Sequence, residues 1–274
     1  MRVLDWSRFM EEPFPQECRG TAMTIGVFDG VHRGHQALIG KVLREAPPGA
    51  VPTVVTFKQN PKQVLRPAEY QGDIVTPERK MIIFESLGVE LVILIDFSRE
   101  FSKIDGKDFI GRLQSRGRLV FLAVGVNFRC GRGLDTGAAE IQALYPPAEV
   151  VSPVMEGGLP ISSSRIREAV SRGSLEQAAA LLGRRVEIDL TGLSQRPGPG
   201  GLFYETRSRL LPPPGWYRVR CYGSPEHGGT EAEVLITGDG VLVPPAVPVD
   251  RIELITGAVS NPADFETGQG AAPK

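Results

Sequence analysis

Short runs rich in Val, Ile, Leu, Thr and Phe recur along the first two thirds of the chain, separated by segments whose apolar residues return every three or four positions. The runs predict strands at Ala22 to Phe28, Thr53 to Phe57, Glu90 to Ile95, Leu119 to Val124 and Glu149 to Val154. Between them the pattern predicts helices near Gly34 to Ala46, Pro77 to Leu87, Gly106 to Ser115 and Thr136 to Leu144. Pro77 suits a first helical turn, with Thr76 as its N-cap. Helices at Ser164 to Arg172 and Ser174 to Leu182 follow. Parallel neighbours in a sheet need crossover connections, so this alternation predicts an α/β domain with a parallel sheet over residues 1–183.

Beyond Gly183 the texture changes. Thr191 to Gly215 holds ten Gly or Pro in 25 residues, and strand-like runs follow at Trp216 to Tyr222, Glu231 to Ile236 and Arg251 to Ile255. That predicts a small antiparallel β domain over residues 184–256. Residues 257–274 lack periodicity and large apolar side chains, and are expected to form a flexible tail.

Of the 274 residues 41% are hydrophobic and 23% charged, and 31 Lys+Arg nearly cancel 32 Asp+Glu to leave a net charge of -1. Such a composition fits a soluble globular protein with no field to attract nucleic acid or an anionic membrane. No apolar run approaches the ~18 residues of a bilayer span, and the first twenty residues contain no apolar signal core. A cytoplasmic location is expected. Cys18, Cys130 and Cys221 are odd in number and form no CxxC pair, which points to reduced thiols rather than disulfides or a zinc site.

The richest stretch is Thr24 to Ile39, TIGVFDGVHRGHQALI: an apolar strand, a Gly-rich turn, two histidines three apart and a helix start. In an open parallel sheet ligands bind beyond the carboxyl ends of the strands, and a helix N-terminus there presents N–H groups to anions. Gly26, Gly30 and Gly34 allow close backbone approach, while His32 and His35 can donate to phosphate oxygens and to charge that develops during phosphoryl or nucleotidyl transfer. A lone loop histidine is more often a plain surface residue. Here two of the chain's three histidines fall in one tetrapeptide. His227, in a turn-like Gly- and Pro-containing stretch, is expected to be exposed and without a role. A second stretch, Ile161 to Arg167 (ISSSRIR), sets consecutive hydroxyls at a helix start ahead of two arginines, a combination suited to a polyphosphate.

His32-Arg33-Gly34-His35 resembles the HxGH signature of the cytidylyltransferase-like nucleotidyltransferases, which have a Rossmann-like fold. More narrowly, Gly26 to His35 resembles the GxFDGxHxGH element of the bacterial FAD synthetase (riboflavin kinase/FMN adenylyltransferase) family. ISSSRIR is similar to that family's ISSTxIR motif, with Ser164 keeping the hydroxyl, and Val124 to Gly131 resembles its VGxNFxFG element. The likeness covers about residues 20 to 183. It implies transfer of AMP from Mg²⁺-bound ATP to FMN, giving FAD and pyrophosphate, with ATP and FMN as small-molecule substrates. It further implies catalytic roles for His32, His35 and Arg167 and nucleotide contacts from Gly26, Phe28, Asp29, Gly34, Ser163 and Ser164. Phe57, Pro61 and Asn127 would lie by the flavin or adenine.

The chain departs from the family in three places. Gln59 and Asn60 stand where the family carries Pro and His, and Cys130 replaces a Phe. The Pro-Thr-Ala-Asn tetrapeptide of the β-barrel kinase domain is missing, so a reduced, kinase-inactive barrel is expected. Two other readings stay open: the same chemistry on another phosphorylated acceptor (pantetheine phosphate, nicotinate mononucleotide or glycerol phosphate), and a flavin- or nucleotide-binding regulator without turnover.

Overall fold

In a computed structural model of the chain, described here over residues 1–12, 19–206, 209–223, 229–245 and 249–257, the chain divides into two compact units. The first comprises residues 1–70 and 77–161, the second residues 71–76 and 162 onward. This division falls earlier than the composition shift at Gly183, because the last two helices of the α/β pattern cluster with the β-rich part. Cys18, His227 and residues 258–274 of the expected tail lie outside the described residues.

The first unit is built on a six-stranded, wholly parallel sheet: β1 (Arg2–Asp5), β2 (Thr21–Ile25), β3 (Val51–Phe57), β4 (Leu91–Ile95), β5 (Leu119–Gly125) and β6 (Ala148–Val151), in the order β1-β4-β3-β2-β5-β6. All five residues of β2 are buried, as expected of a central strand covered on both faces. Met23 and Ile25 face a large core shared with α1 (Trp6–Glu11), α5 (Gly106–Gly117) and α6 (Ala138–Leu144). Ala22 packs on the opposite face against Val42 of α2 (Arg33–Glu45). Helices on both faces make this the expected Rossmann-like α/β arrangement.

Local chemistry sets the boundaries. Asp105 caps α5, its carboxylate accepting from the Asp108 N–H at 2.7 Å, and Arg118 ends the helix in the left-handed region. Strand β2 stops at Ile25 rather than running to the expected Phe28, because Phe28 and Gly30 have positive φ that no strand accommodates. Strand β1 and helix α1 were not expected from the pattern, nor was α3 (Pro61–Leu65) after β3.

The second unit holds α7 (Ser163–Ser171), α8 (Leu175–Leu182) and a seven-stranded antiparallel sheet. Its strands are β7 (Glu187–Asp189), β8 (Gln195–Gly198), β9 (Gly201–Glu205), β10 (Gly215–Tyr222), β11 (Thr230–Ile236), β12 (Gly240–Val243) and β13 (Arg251–Leu254), in the order β7-β13-β10-β11-β12-β9-β8. The Gly- and Pro-rich 190s fold as the β8–β9 hairpin at the sheet edge, where Pro197 is tolerated. No described helix is long and apolar enough to cross a membrane.

Candidate active site

From β2 the chain builds outward through β3 to β4, then returns to place β5 and β6 on the other side. The direction of winding therefore reverses between β2 and β5, and the crevice at such a reversal is where open parallel sheets bind ligands. The loop of residues 26–32 leaves the C-terminal end of β2 at that point and runs directly into α2.

This loop is tightly wound and buried. Phe28 (φ 52°), Gly30 (φ 83°) and Val31 (φ 40°) all adopt positive φ, and the Phe28 and Val31 side chains are fully buried. Each such non-Gly conformation costs on the order of 1–3 kcal/mol and persists only where its surroundings enforce it. Here the Gly26 N–H donates to Val55 O at 3.1 Å and the Val31 N–H to Phe28 O at 3.1 Å. The Phe28 ring meets Phe84 edge-on at 5.6 Å and His35 at 5.1 Å. Asp29 is buried in the same loop.

His32 is the N-cap of α2, its Nδ1 accepting from the His35 N–H at 3.3 Å. With Nδ1 accepting, the donor nitrogen of this ring is Nε2. The two imidazoles stack with centroids 3.6 Å apart and planes 16° from parallel. Gly34 makes room for this, since a Cβ there would lie 3.2 Å from His32 Cε1 and Nδ1. Burial, then the neighbouring His32, then Lys80, hold His35 well below the ordinary imidazole value, so it is neutral at pH 7. Its Nδ1 is buried without a hydrogen-bond partner. A helix N-terminus with two neutral or polarisable imidazole donors is suited to phosphate and to charge developing on it.

Lys80 carries no motif, yet it is buried on α4 (Pro77–Ser86), and its Nζ donates to Phe57 O at 3.0 Å, Thr56 Oγ1 at 3.2 Å and Val27 O at 3.3 Å. The remaining expected residues of this unit lie on or just after the flanking strands β3 and β5. Phe57 ends β3, half-buried and edge-on to Phe97 at 5.6 Å; Pro61 is the first residue of α3; Asn127 is exposed just beyond β5. The two departures after β3 have structural uses. Gln59 donates to Asp96 Oδ1 at 2.9 Å and Phe97 O at 2.7 Å, and Asn60 caps α3 by accepting from the Lys62 N–H at 3.1 Å. Cys130 is a free thiol pushed up to about 12 by burial and by Asp135, hence inert, and Cys221 is likewise free.

Ser163, Ser164 and Arg167 belong to the second unit. Ser162 caps α7, its hydroxyl accepting from the Arg165 N–H at 3.4 Å, so Ser163 and Ser164 occupy the first turn, where backbone N–H groups lack helical acceptors. Arg167 donates to Gly72 O at 2.7 Å. Thus Gly26, Phe28, Asp29, His32, Gly34 and His35 come together at one loop–helix junction, while Phe57 ends the neighbouring β3, Pro61 opens α3 and Asn127 follows β5. Among the described residues no group of three or more His, Cys, Asp or Glu is arranged to hold a metal ion.

The family model described as FAD synthetase matches residues 14–165. Over 180 residues the chain is 33% identical to the bifunctional riboflavin kinase/FMN adenylyltransferase of Escherichia coli (strain K12), covering 64% of this chain and 57% of that one. It is 28% identical over 211 residues to the FAD synthetase of Listeria monocytogenes serovar 1/2a (strain ATCC BAA-679 / EGD-e), covering 72% of this chain and 85% of the relative. A crystal structure described as a macrolide-efflux protein from Streptococcus pneumoniae superposes with a TM-score of 0.78 at 19% identity, covering 97% of this chain and 95% of that one, a likeness of fold alone. The parallel sheet with a histidine-bearing loop at its switch point and the family match agree: this chain belongs to the FAD synthetase family. The match spans little more than half the length of the Escherichia coli relative.

Proposed function

We propose that the chain is an FMN adenylyltransferase. The observation that carries this reading is the stacked His32–His35 pair at the α2 N-terminus, at the sheet's switch point and inside the segment that matches the family. In the proposed reaction a phosphate oxygen of FMN attacks the α-phosphorus of ATP in line, the bond to the bridging oxygen breaks, and pyrophosphate leaves with FAD formed. No protein nucleophile is needed. Catalysis comes from holding two anionic reactants in line and stabilising the charge that gathers on the transferring phosphorus and leaving oxygen. Magnesium enters as part of the Mg–ATP substrate, screening the triphosphate.

In this reading His32 Nε2–H and the neutral His35 donate to the phosphates, and Arg167 neutralises pyrophosphate charge. Backbone from Gly26 to Gly34, with Phe28 and Asp29 and the first-turn Ser163 and Ser164, receives the nucleotide. Phe57, Pro61 and Asn127 contact the rings of flavin or adenine. In this reading the chain works in the cytoplasm. We further infer that the second unit does not phosphorylate riboflavin: the kinase tetrapeptide is missing, and the chain covers most of a relative named for FAD synthesis alone.

Incubation of the purified chain with FMN and Mg–ATP should yield FAD and pyrophosphate in equal amounts by chromatography. Binding of FMN with no FAD formed would replace this reading with a flavin-binding regulator.

A further inference from the structure

A lysine ammonium is costly to bury, and an apolar residue would fill the inner face of α4 without that cost. Lys80 is nevertheless only 6% exposed. Its donors reach the backbone on which the candidate site is built. Val27 O belongs to the loop after β2, between Gly26 and the strained Phe28, and Phe57 O closes β3 at a proposed ring contact. Thr56 Oγ1 links the two, accepting from Lys80 Nζ at 3.2 Å and donating to Val27 O at 3.2 Å.

We propose that Lys80 is a positioning residue for adenylyl transfer: its buried ammonium clamps the carbonyls of Val27 and Phe57, holding the histidine loop in its strained form and fixed against the end of β3. The proposal rests on reading the site as an adenylyltransferase. Lys80 acts through the loops, since its three donors are engaged by protein oxygens. Its charge also reaches His35, where it adds to burial and to His32 in keeping the imidazole neutral. The only carboxylate within the loop, Asp29, is itself buried.

The test compares Lys80→Met with the wild-type full chain in two readouts. One is FAD formation from FMN and Mg–ATP, separated into kcat and KM. The other is the protonation midpoint of His35, followed by NMR of labelled histidine with no substrate present. Lys80→Met should lower kcat by about 10²-fold, as displacement of reacting groups by about an ångström does, with KM values changing by less than ~3-fold. The His35 midpoint should move up. Lys80→Arg, which keeps charge and donors, should recover part of the rate. If Lys80→Met fails to fold, Thr56→Val removes the linking hydroxyl alone and should cost roughly 3- to 10-fold in kcat, the worth of one hydrogen bond. A folded Lys80→Met with wild-type kcat, or an unmoved His35 midpoint, overturns the proposal. If the wild type forms no FAD, the adenylyltransferase reading falls, and the His35 midpoint still decides whether Lys80 governs this loop.

Discussion

At His35, burial, the stacked ring of His32 and the ammonium of Lys80 all oppose a proton. In the unfolded chain the same imidazole titrates at its ordinary value near 6.5. As pH falls below that value the unfolded chain takes up a proton that the folded state refuses. Stability is therefore complete above about pH 6.5 and declines below it, by up to ~1.4 kcal/mol for each pH unit over which only the unfolded chain binds. Thermal unfolding of wild type and His35→Asn between pH 7 and 5 should show the steeper acid loss in wild type; parallel curves would remove His35 as its source. The histidines were legible as a site candidate because their spacing and the glycines around them fall where a strand gives way to a helix. Lys80 was not: within Pro77-Glu78-Arg79-Lys80 it reads as one more charge on a solvated face, and its partners lie 23 to 53 residues away in sequence. Asn60 carried a usable signal, since Asn before Pro is a helix start.

The junction of loop and α2 depends on a missing side chain. Alanine at Gly34 favours the helix by roughly 0.5–1 kcal/mol, but its Cβ forces the His32 ring to shift by a few tenths of an ångström. Gly34→Ala should thus keep or slightly raise the melting temperature while kcat for FAD formation falls by about 10-fold or more. A variant both stable and fully active would show that the stacked histidines need no fixed placement. The central strands were legible because they are long and apolar through burial on both faces. The edge elements were not. Strand β1 is four residues with a single buried position, Leu4, and is fixed by parallel pairing to β4 across nearly ninety residues of chain. Helix α1 did carry a cue, Trp6, Phe9 and Met10 at helical spacing, and Trp6 packs on Phe9, Phe101 and Phe109. The β8–β9 hairpin escaped notice because its Gly and Pro content obscures the alternation that marks a strand.

At the scale of the molecule, the α/β class and the antiparallel β-rich part followed from the change of texture near Gly183, whereas grouping by contacts also draws in residues 71–76. That short segment joins the rest of the second unit through interactions no local pattern encodes: Leu210 N–H donates to Asp73 O, and Arg167 to Gly72 O. The second unit keeps a seven-stranded antiparallel sheet without the kinase tetrapeptide. Riboflavin supplied with Mg–ATP should therefore remain riboflavin on chromatography; FMN or FAD appearing from it would make this unit a working kinase. The proposed adenylyl transfer depends on the loop after β2 and its two histidines. The most direct measurement is the rate of FAD formation from FMN and Mg–ATP by wild type beside His32→Ala, both confirmed folded. FAD from wild type and a rate lower by ~10²-fold or more in the variant is the expected result, the usual loss on removing a transition-state donor. No FAD from wild type, or equal rates from both, would contradict it.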